Sequence, residues 1–189
     1  MTEEIAKYKA FVKQLSDSND DRVFLNSSPE HAVVVTAQIF RQSTHIVRIF
    51  AKNLCRTIGN DPEYIAALSD FIERGGEVRI LLNGYEEECA RVSNLYKRLA
   101  YYKHLGRAIT VKTTTVFPYL TDDEDQKEIH FTIGDDKAYR IETNIESRTA
   151  ECCMNGPEVS NMTVEFYDKM FNDENAVEVD ILRMFGYAG

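Results

Sequence analysis

The sequence runs to 189 residues with 31 acidic against 22 basic side chains, a formal net charge of −9. A chain of that length holds one domain with a proper hydrophobic core, and its 43% hydrophobic and 28% charged content excludes a disordered polymer. No apolar run approaches a membrane span, and the acidic total argues against binding nucleic acid by neutralising phosphates over the whole surface.

Residues 1–15 set Ile5, Tyr8, Phe11, Val12 and Leu15 at helical spacing, so an amphipathic helix is expected there rather than a basic, apolar leader. The expected setting is the cytoplasm, with no membrane partner. SDSNDDR follows as a polar linker. In NSSPEH, Ser28 is an N-cap, Pro29 takes the first helical position and Glu30 sits near the positive end of the dipole. Val34, Ile39 and Phe40 give that helix its core contacts. Ile46 to Ala51 is short and branched, which predicts a buried strand.

Asp61-Pro62-Glu63 repeats the helix-start device, with Tyr64, Ala67, Leu68, Phe71 and Ile72 at helical spacing and Gly75-Gly76 as the stop. EVRILLN is a second buried strand. One long helix is expected from about Glu86 to Leu105, burying Val92, Leu95, Leu99 and Tyr102, then a strand from Ala108 to Thr114. The basic run Arg91, Lys97, Arg98, Lys103 and Arg107 is a solvated helix face. TDDEDQKE lacks the spacing and glycine of a calcium loop and is expected to be a solvated surface loop.

From Glu128 to Asn144 the sequence EIHFTIGDDKAYRIETN predicts a β-hairpin. Ile129, Phe131 and Ile133 face one way, His130 and Thr132 the other, and Gly134-Asp135-Asp136 makes the turn. A strand over Ala150 to Met154 and a helix begun by Gly156-Pro157-Glu158 follow, the helix burying Val164, Phe166, Tyr167 and Phe171. VDILRMF is a last short apolar element. Strands alternating with helices imply an α/β domain whose mixed sheet is covered on both faces. Cys55, Cys89, Cys152 and Cys153 show no CxxC spacing, so reduced, buried thiols are expected and no metal site. No motif for a bound cofactor is present.

Three stretches resemble phospholipase D-like domains. NSSPEHAVVVTAQIFRQSTHIVRIFAKNL matches their opening helix and first strand, DPEYIAALSDFIERGGEVRILLN a helix, glycine turn and strand, and ECCMNGPEVSNMTVEFYDKMF their closing strand and helix. The resemblance implies a phospholipase D-like domain over residues 23–172, with a helix and linker at 1–22 and a tail at 173–189 packed on the domain.

Such domains carry His-x-Lys, four residues, Asp, then Gly-Ser and Asn. The histidine is a nucleophile, the lysine and asparagine grip the phosphate, and the aspartate orients the histidine. A chain with one motif pairs with a copy of itself, which implies a two-fold homodimer. Here the motif is incomplete. Aligning Asp135 with the family aspartate puts Glu128 at the histidine, His130 at the lysine and Glu142-Thr143 at Gly-Ser, with Asn144 one step from the asparagine. Aligning His130 with the nucleophile puts Thr132 at the lysine and Lys137 at the aspartate.

The candidate catalytic residues are His130, Glu128 and Asp135, and the candidate substrate-binding residues are Lys137, Arg140, Thr143 and Asn144. What this implies is a catalytically degenerate member used for binding or assembly, docking on a partner protein, in bacteria accessory to nucleic-acid processing or defence. The alternatives are a metal-independent phosphodiesterase or nuclease built around His130 from two subunits, and an acidic inhibitor of a basic nucleic-acid-binding partner. Nucleic acid itself stays open as a partner.

Overall fold

The computed structural model describes residues 2–56, 58–119, 128–147 and 149–187. The acidic loop expected at TDDEDQKE lies almost wholly outside them. Helix α1 (Glu3–Asp17) starts at Thr2, whose hydroxyl accepts from the Ile5 N–H, and buries Val12 and Leu15. Phe11, expected in the core, is 39% exposed at its edge. Strand β1 (Phe24–Asn26) is an element that periodicity did not announce. Helix α2 (Pro29–Gln42) begins as expected, with the Ser28 side chain accepting from the His31 N–H. Strand β2 (Ile46–Ala51) leads to α3 (Pro62–Glu73), where Asp61 accepts from the Glu63 and Tyr64 N–H groups. Gly75, at a φ of 94°, turns the chain into β3 (Glu77–Leu82).

The single helix expected over 86–105 is two. Helices α4 (Glu87–Val92) and α5 (Asn94–His104) are separated at Ser93, whose backbone is extended. Asn60 causes the break. Its Oδ1 accepts from Ser93 Oγ at 2.9 Å and from the Asn94 N–H at 3.0 Å, an alternative to continuing the helix. Val92, expected in the core, is accordingly 74% exposed. Strand β4 (Ile109–Thr113) follows, then the hairpin β5 (His130–Gly134) and β6 (Ala138–Asn144), β7 (Thr149–Cys153) and α6 (Pro157–Phe171). The tail supplies β8 (Val177–Glu178) and α7 (Ile181–Met184), with Ile181 fully buried in the main core.

The eight strands form one mixed sheet in the order β1-β7-β6-β5-β2-β3-β4-β8. β2, β3 and β4 are parallel, and every other pairing is antiparallel. One face packs Val47, Ile49, Val78, Ile80 and Val111 against α2, α3 and α5. The other packs Phe50, Leu81, Phe131 and Ile133 against Tyr167 and Phe171 of α6. A buried arginine pins that second layer. Arg48 on β2 donates to Asp136 in the hairpin turn at 2.8 Å and to Asp168 on α6 at 3.2 Å. Lys112 on β4 donates to the Phe171 carbonyl at 2.8 Å, satisfying the C-terminal end of α6.

The cysteines correct one expectation. Cys55 and Cys89 are joined by a disulfide, whereas Cys152 and Cys153 are free and buried. Sequence separation hid the pair, because only the return of α4 onto the segment after β2 brings the two together. Among the described residues, no helix is long and apolar enough to cross a membrane.

Candidate functional site

The hairpin is built to a tight register. Asp135 and Asp136 both have positive φ, 51° and 58°, a left-handed conformation that aspartate tolerates, at the centre of a turn closed by the Lys137 N–H on the Gly134 carbonyl. Gly134 lets the hairpin lie against α2, since a Cβ there would stand 2.1 Å from Ser43 Oγ and 2.8 Å from the Ile39 side chain. Register then puts His130 opposite Glu142 and Thr132 opposite Arg140. Beyond them, Cys152 stands opposite Arg140, and Asn26 on β1 stands opposite Ala150, the cross-strand partner of Glu142. All of these side chains turn toward α2, so one sheet face carries a buried polar row among apolar neighbours.

That row ends in a pocket of about 280 Å³. His130, Thr132, Arg140 and Glu142 form its floor, Thr36 and Tyr64 its helical wall, and Lys52, Asn53, Arg56 and Glu86 its rim. The floor is a closed set of ion pairs. Arg140 Nη2 donates to Glu142 Oε1 at 2.9 Å, and its Nε donates to Asn26 Oδ1 at 2.8 Å. His130 Nδ1 lies 3.2 Å from Glu142 Oε2, a carboxylate oxygen that accepts from a ring N–H. The other nitrogen, Nε2, faces Glu128 Oε1 at 3.4 Å without the alignment of a hydrogen bond. Glu128 in turn accepts from the Asn83 amide. His130 is 7% exposed, Arg140 5% and Glu142 2%.

Two neighbours are chemically quiet. Burial pushes the Cys152 thiol up to about 12, with Arg140 pulling it part of the way back, so it is a neutral thiol and not a nucleophile. Burial also raises the Tyr64 phenol well above its ordinary value. At the rim, Arg56 is paired with Glu86 at 3.0 Å, whereas Lys52 is exposed and makes no ion pair among the described residues. Also among the described residues, no group of three or more His, Cys, Asp or Glu side chains is placed to hold a metal ion.

Of the residues singled out by sequence, the structure brings together His130, Glu128 and Arg140. It places the others elsewhere. Asp135 lies at the far end of β5 and accepts from the N–H groups of Thr44, His45 and Ile46 and from the Thr44 hydroxyl. Burial pushes its carboxyl up, but these four donors outweigh that and hold it below its ordinary value. It fixes the hairpin to β2 and does not touch His130. Lys137 donates to Asn19 at 2.5 Å on the outside of the turn. Thr143 sits at a shift of register between Glu142 and Asn144, and Asn144 Oδ1 accepts from the Ser147 N–H at 3.0 Å. Sequence reasoning passed over Glu142 and Asn26 as partners of Arg140. For Glu142 the signal was there, in an acid two residues after an arginine, which a strand sets on one face. It also passed over Lys52 and Asn53, although they stand just past the C-terminal end of a parallel strand, where α/β sheets place ligands.

No family model matches the sequence, and no curated protein matches it. Solved structures do match its shape. Nuc from Salmonella typhimurium, a phospholipase D family member, superposes with a TM-score of 0.59 at 16% identity, over 85% of this chain and 99% of Nuc. NucT from Helicobacter pylori gives 0.57 at 14% identity, over 85% of this chain and all of NucT. TrmBL2, an archaeal chromatin protein, gives 0.64 at 14% identity, over 92% of this chain but 64% of TrmBL2. The chain therefore has the phospholipase D-like fold expected from its sequence pattern, a single α/β domain with one mixed sheet.

The ion-pair floor and the turn aspartate each predict a measurable effect. Arg140→Met strips a buried carboxylate of its cation and is expected to cost about 3–5 kcal/mol in urea unfolding, most of it recovered in Arg140→Met/Glu142→Leu. Asp135 has a depressed carboxyl, so its contribution is present above the unfolded value near pH 4 and is lost as pH falls through the lower folded value. Asp135→Asn, which tolerates the same backbone, is expected to lose about 1–3 kcal/mol at pH 7. The difference from wild type should shrink steadily in unfolding curves taken below pH 4.

Proposed function

We propose that this chain is a catalytically degenerate phospholipase D-like protein that works as a binding or assembly module, pairing with itself or docking on a partner protein. The carrying observation is the consumption of the phosphate-binding charge inside the protein. Among the described residues, Arg140 is the one cation on the pocket floor, and it is paired with Glu142, the residue at the first position of the Gly-Ser pair in the register that aligns Asp135. The imidazole that would attack phosphorus is hemmed by two carboxylates, at 3.2 Å and 3.4 Å. A phosphate oxygen about 4 Å from one of them meets a repulsion of about 4 kcal/mol at an effective dielectric of about 20. Phosphodiester cleavage requires positive charge on the non-bridging oxygens, and among the described residues this floor offers them none uncommitted.

A scaffold of this shape does not oblige hydrolysis. TrmBL2, described as a chromatin protein with a novel mode of DNA binding, shares it. The rival reading, a phosphodiesterase or nuclease, draws support from His130 and Arg140 lining an open pocket with Lys52 at its rim. In a reducing cytoplasm, the expected setting, the Cys55–Cys89 bond would be opened or transient.

Incubation with single- and double-stranded DNA, RNA and a chromogenic phosphodiester, with and without chelator, separates the two readings. No cleavage, or equal cleavage by wild type and His130→Ala, is the expected result. Cleavage that survives chelation and disappears in His130→Ala would overturn the degenerate reading.

A further inference from the structure

We infer that the uncovered end of the sheet beside α6 is a seat for a basic amphipathic helix of a partner protein. The seat lies on the face opposite the pocket and stands whether or not the pocket is catalytic.

Register identifies the sheet part of it. Leu25 on β1, Glu151 on β7, Ile141 on β6 and Phe131 on β5 stand in one cross-strand row. Phe131 packs edge-on against Tyr167 at 6.1 Å, so this row faces the α6 layer. α6 covers only part of it. The helix packs on β2, β5 and β6, and Phe131 is 1% exposed while Leu25 is 62% exposed. Among the described residues, α6 is the sole helix that contributes to the apolar cluster on this face.

The helix supplies the other wall. Val159, Met162 and Phe166 recur at i, i+3 and i+7, one stripe of an α-helix, with exposures of 38%, 68% and 40%. At about 100° per residue this stripe lies on the flank turned away from Asp168, and Asp168 reaches toward Arg48 and Arg79 on β2 and β3. The stripe is therefore turned away from β3 and borders the side on which β7 and β1 extend.

Dimensions and charge select the occupant. Farther along β7 the chain at Asp21 lies against the buried Cys153, but at the row of Leu25 and Glu151 two strands beyond β6 offer roughly 10 Å of sheet at about 4.8 Å per strand. That is the width of one helix set beside α6 at an ordinary interaxial distance of about 8–10 Å. Exposed glutamates line the trough, with Glu151 in its floor between Leu25 and Ile141 and with Glu158 and Glu165 on the crest of α6. An apolar helix stripe meets Leu25, Ile141 and the stripe of α6, and lysines or arginines beside it meet Glu151 on the sheet and the two acids of α6. This is helix-in-groove recognition with complementary charge.

The test is fluorescence anisotropy with a labelled amphipathic Leu/Lys helical peptide as the probe. Saturable binding is expected, weakened tenfold or more by Met162→Glu and by Glu151→Lys. Val92→Glu is the control, since it adds the same charge at an exposed apolar site on α4. It is expected to leave binding unchanged or slightly tighter, as general attraction to an acidic protein would. The proposal is overturned by absence of saturable binding. It is overturned equally if Met162→Glu binds the peptide as well as Val92→Glu does. Size-exclusion chromatography of the same variants covers the remaining occupant, because a wild-type dimer dissociated by Met162→Glu would give this face to a second copy and overturn the partner helix.

Discussion

A buried polar row across four strands, with its charges on two of them, sets the chemistry of the pocket. Arg140, Glu142 and His130 lie within a few ångströms of one another under α2, each almost entirely out of solvent. Ion pairs in such a place gain little net stability over apolar residues of the same size, because desolvation offsets most of the attraction. Removing one member, however, leaves an uncompensated charge. The row is therefore locked: its cation cannot be turned to an incoming phosphate without exposing the Glu142 carboxylate to the same anion.

The rest of the structure holds that row in place. Asp135 gathers three backbone N–H groups from residues 44–46 and so fixes the hairpin against the start of β2. Gly134 lets the hairpin approach α2, and Arg48 ties the turn and α6 to the central strand. Asn26 brings β1 to Arg140 from the far edge of the sheet. The acids at the uncovered sheet end belong to another layer, so the proposed loss of phosphate chemistry on one face and the proposed partner recognition on the other need no common residue.

Much of the fold was legible locally. Ser28-Pro29 and Asp61-Pro62 mark helix starts because the capping side chain and the proline both act within one turn. Alternation in the hairpin correctly set His130 and Thr132 on the face opposite Phe131 and Ile133. What was not legible depended on partners distant in sequence. Ser93 carries no glycine or proline signal, and Asn60 is what ends α4 there. β1 is three residues long and exists by pairing with β7. At the site, the sequence pointed to His130, Glu128 and Arg140. Their meaning rests on Glu142 and Asn26, whose roles appear only once β6 and β1 are in register. Asp135, a candidate catalytic residue by sequence, accepts from the N–H groups of residues 44–46 and anchors the turn.

The most direct test of the locked row is the side-chain nitrogen spectrum of His130 in protein labelled with ¹⁵N-histidine, followed as orthovanadate, a phosphate mimic, is titrated in. The account predicts that the His130 resonances stay where they are while those of surface histidines respond only to ionic strength. A saturable shift of His130 Nε2 would show that the pocket still grips a phosphate-like anion against its nucleophile, and would contradict the account.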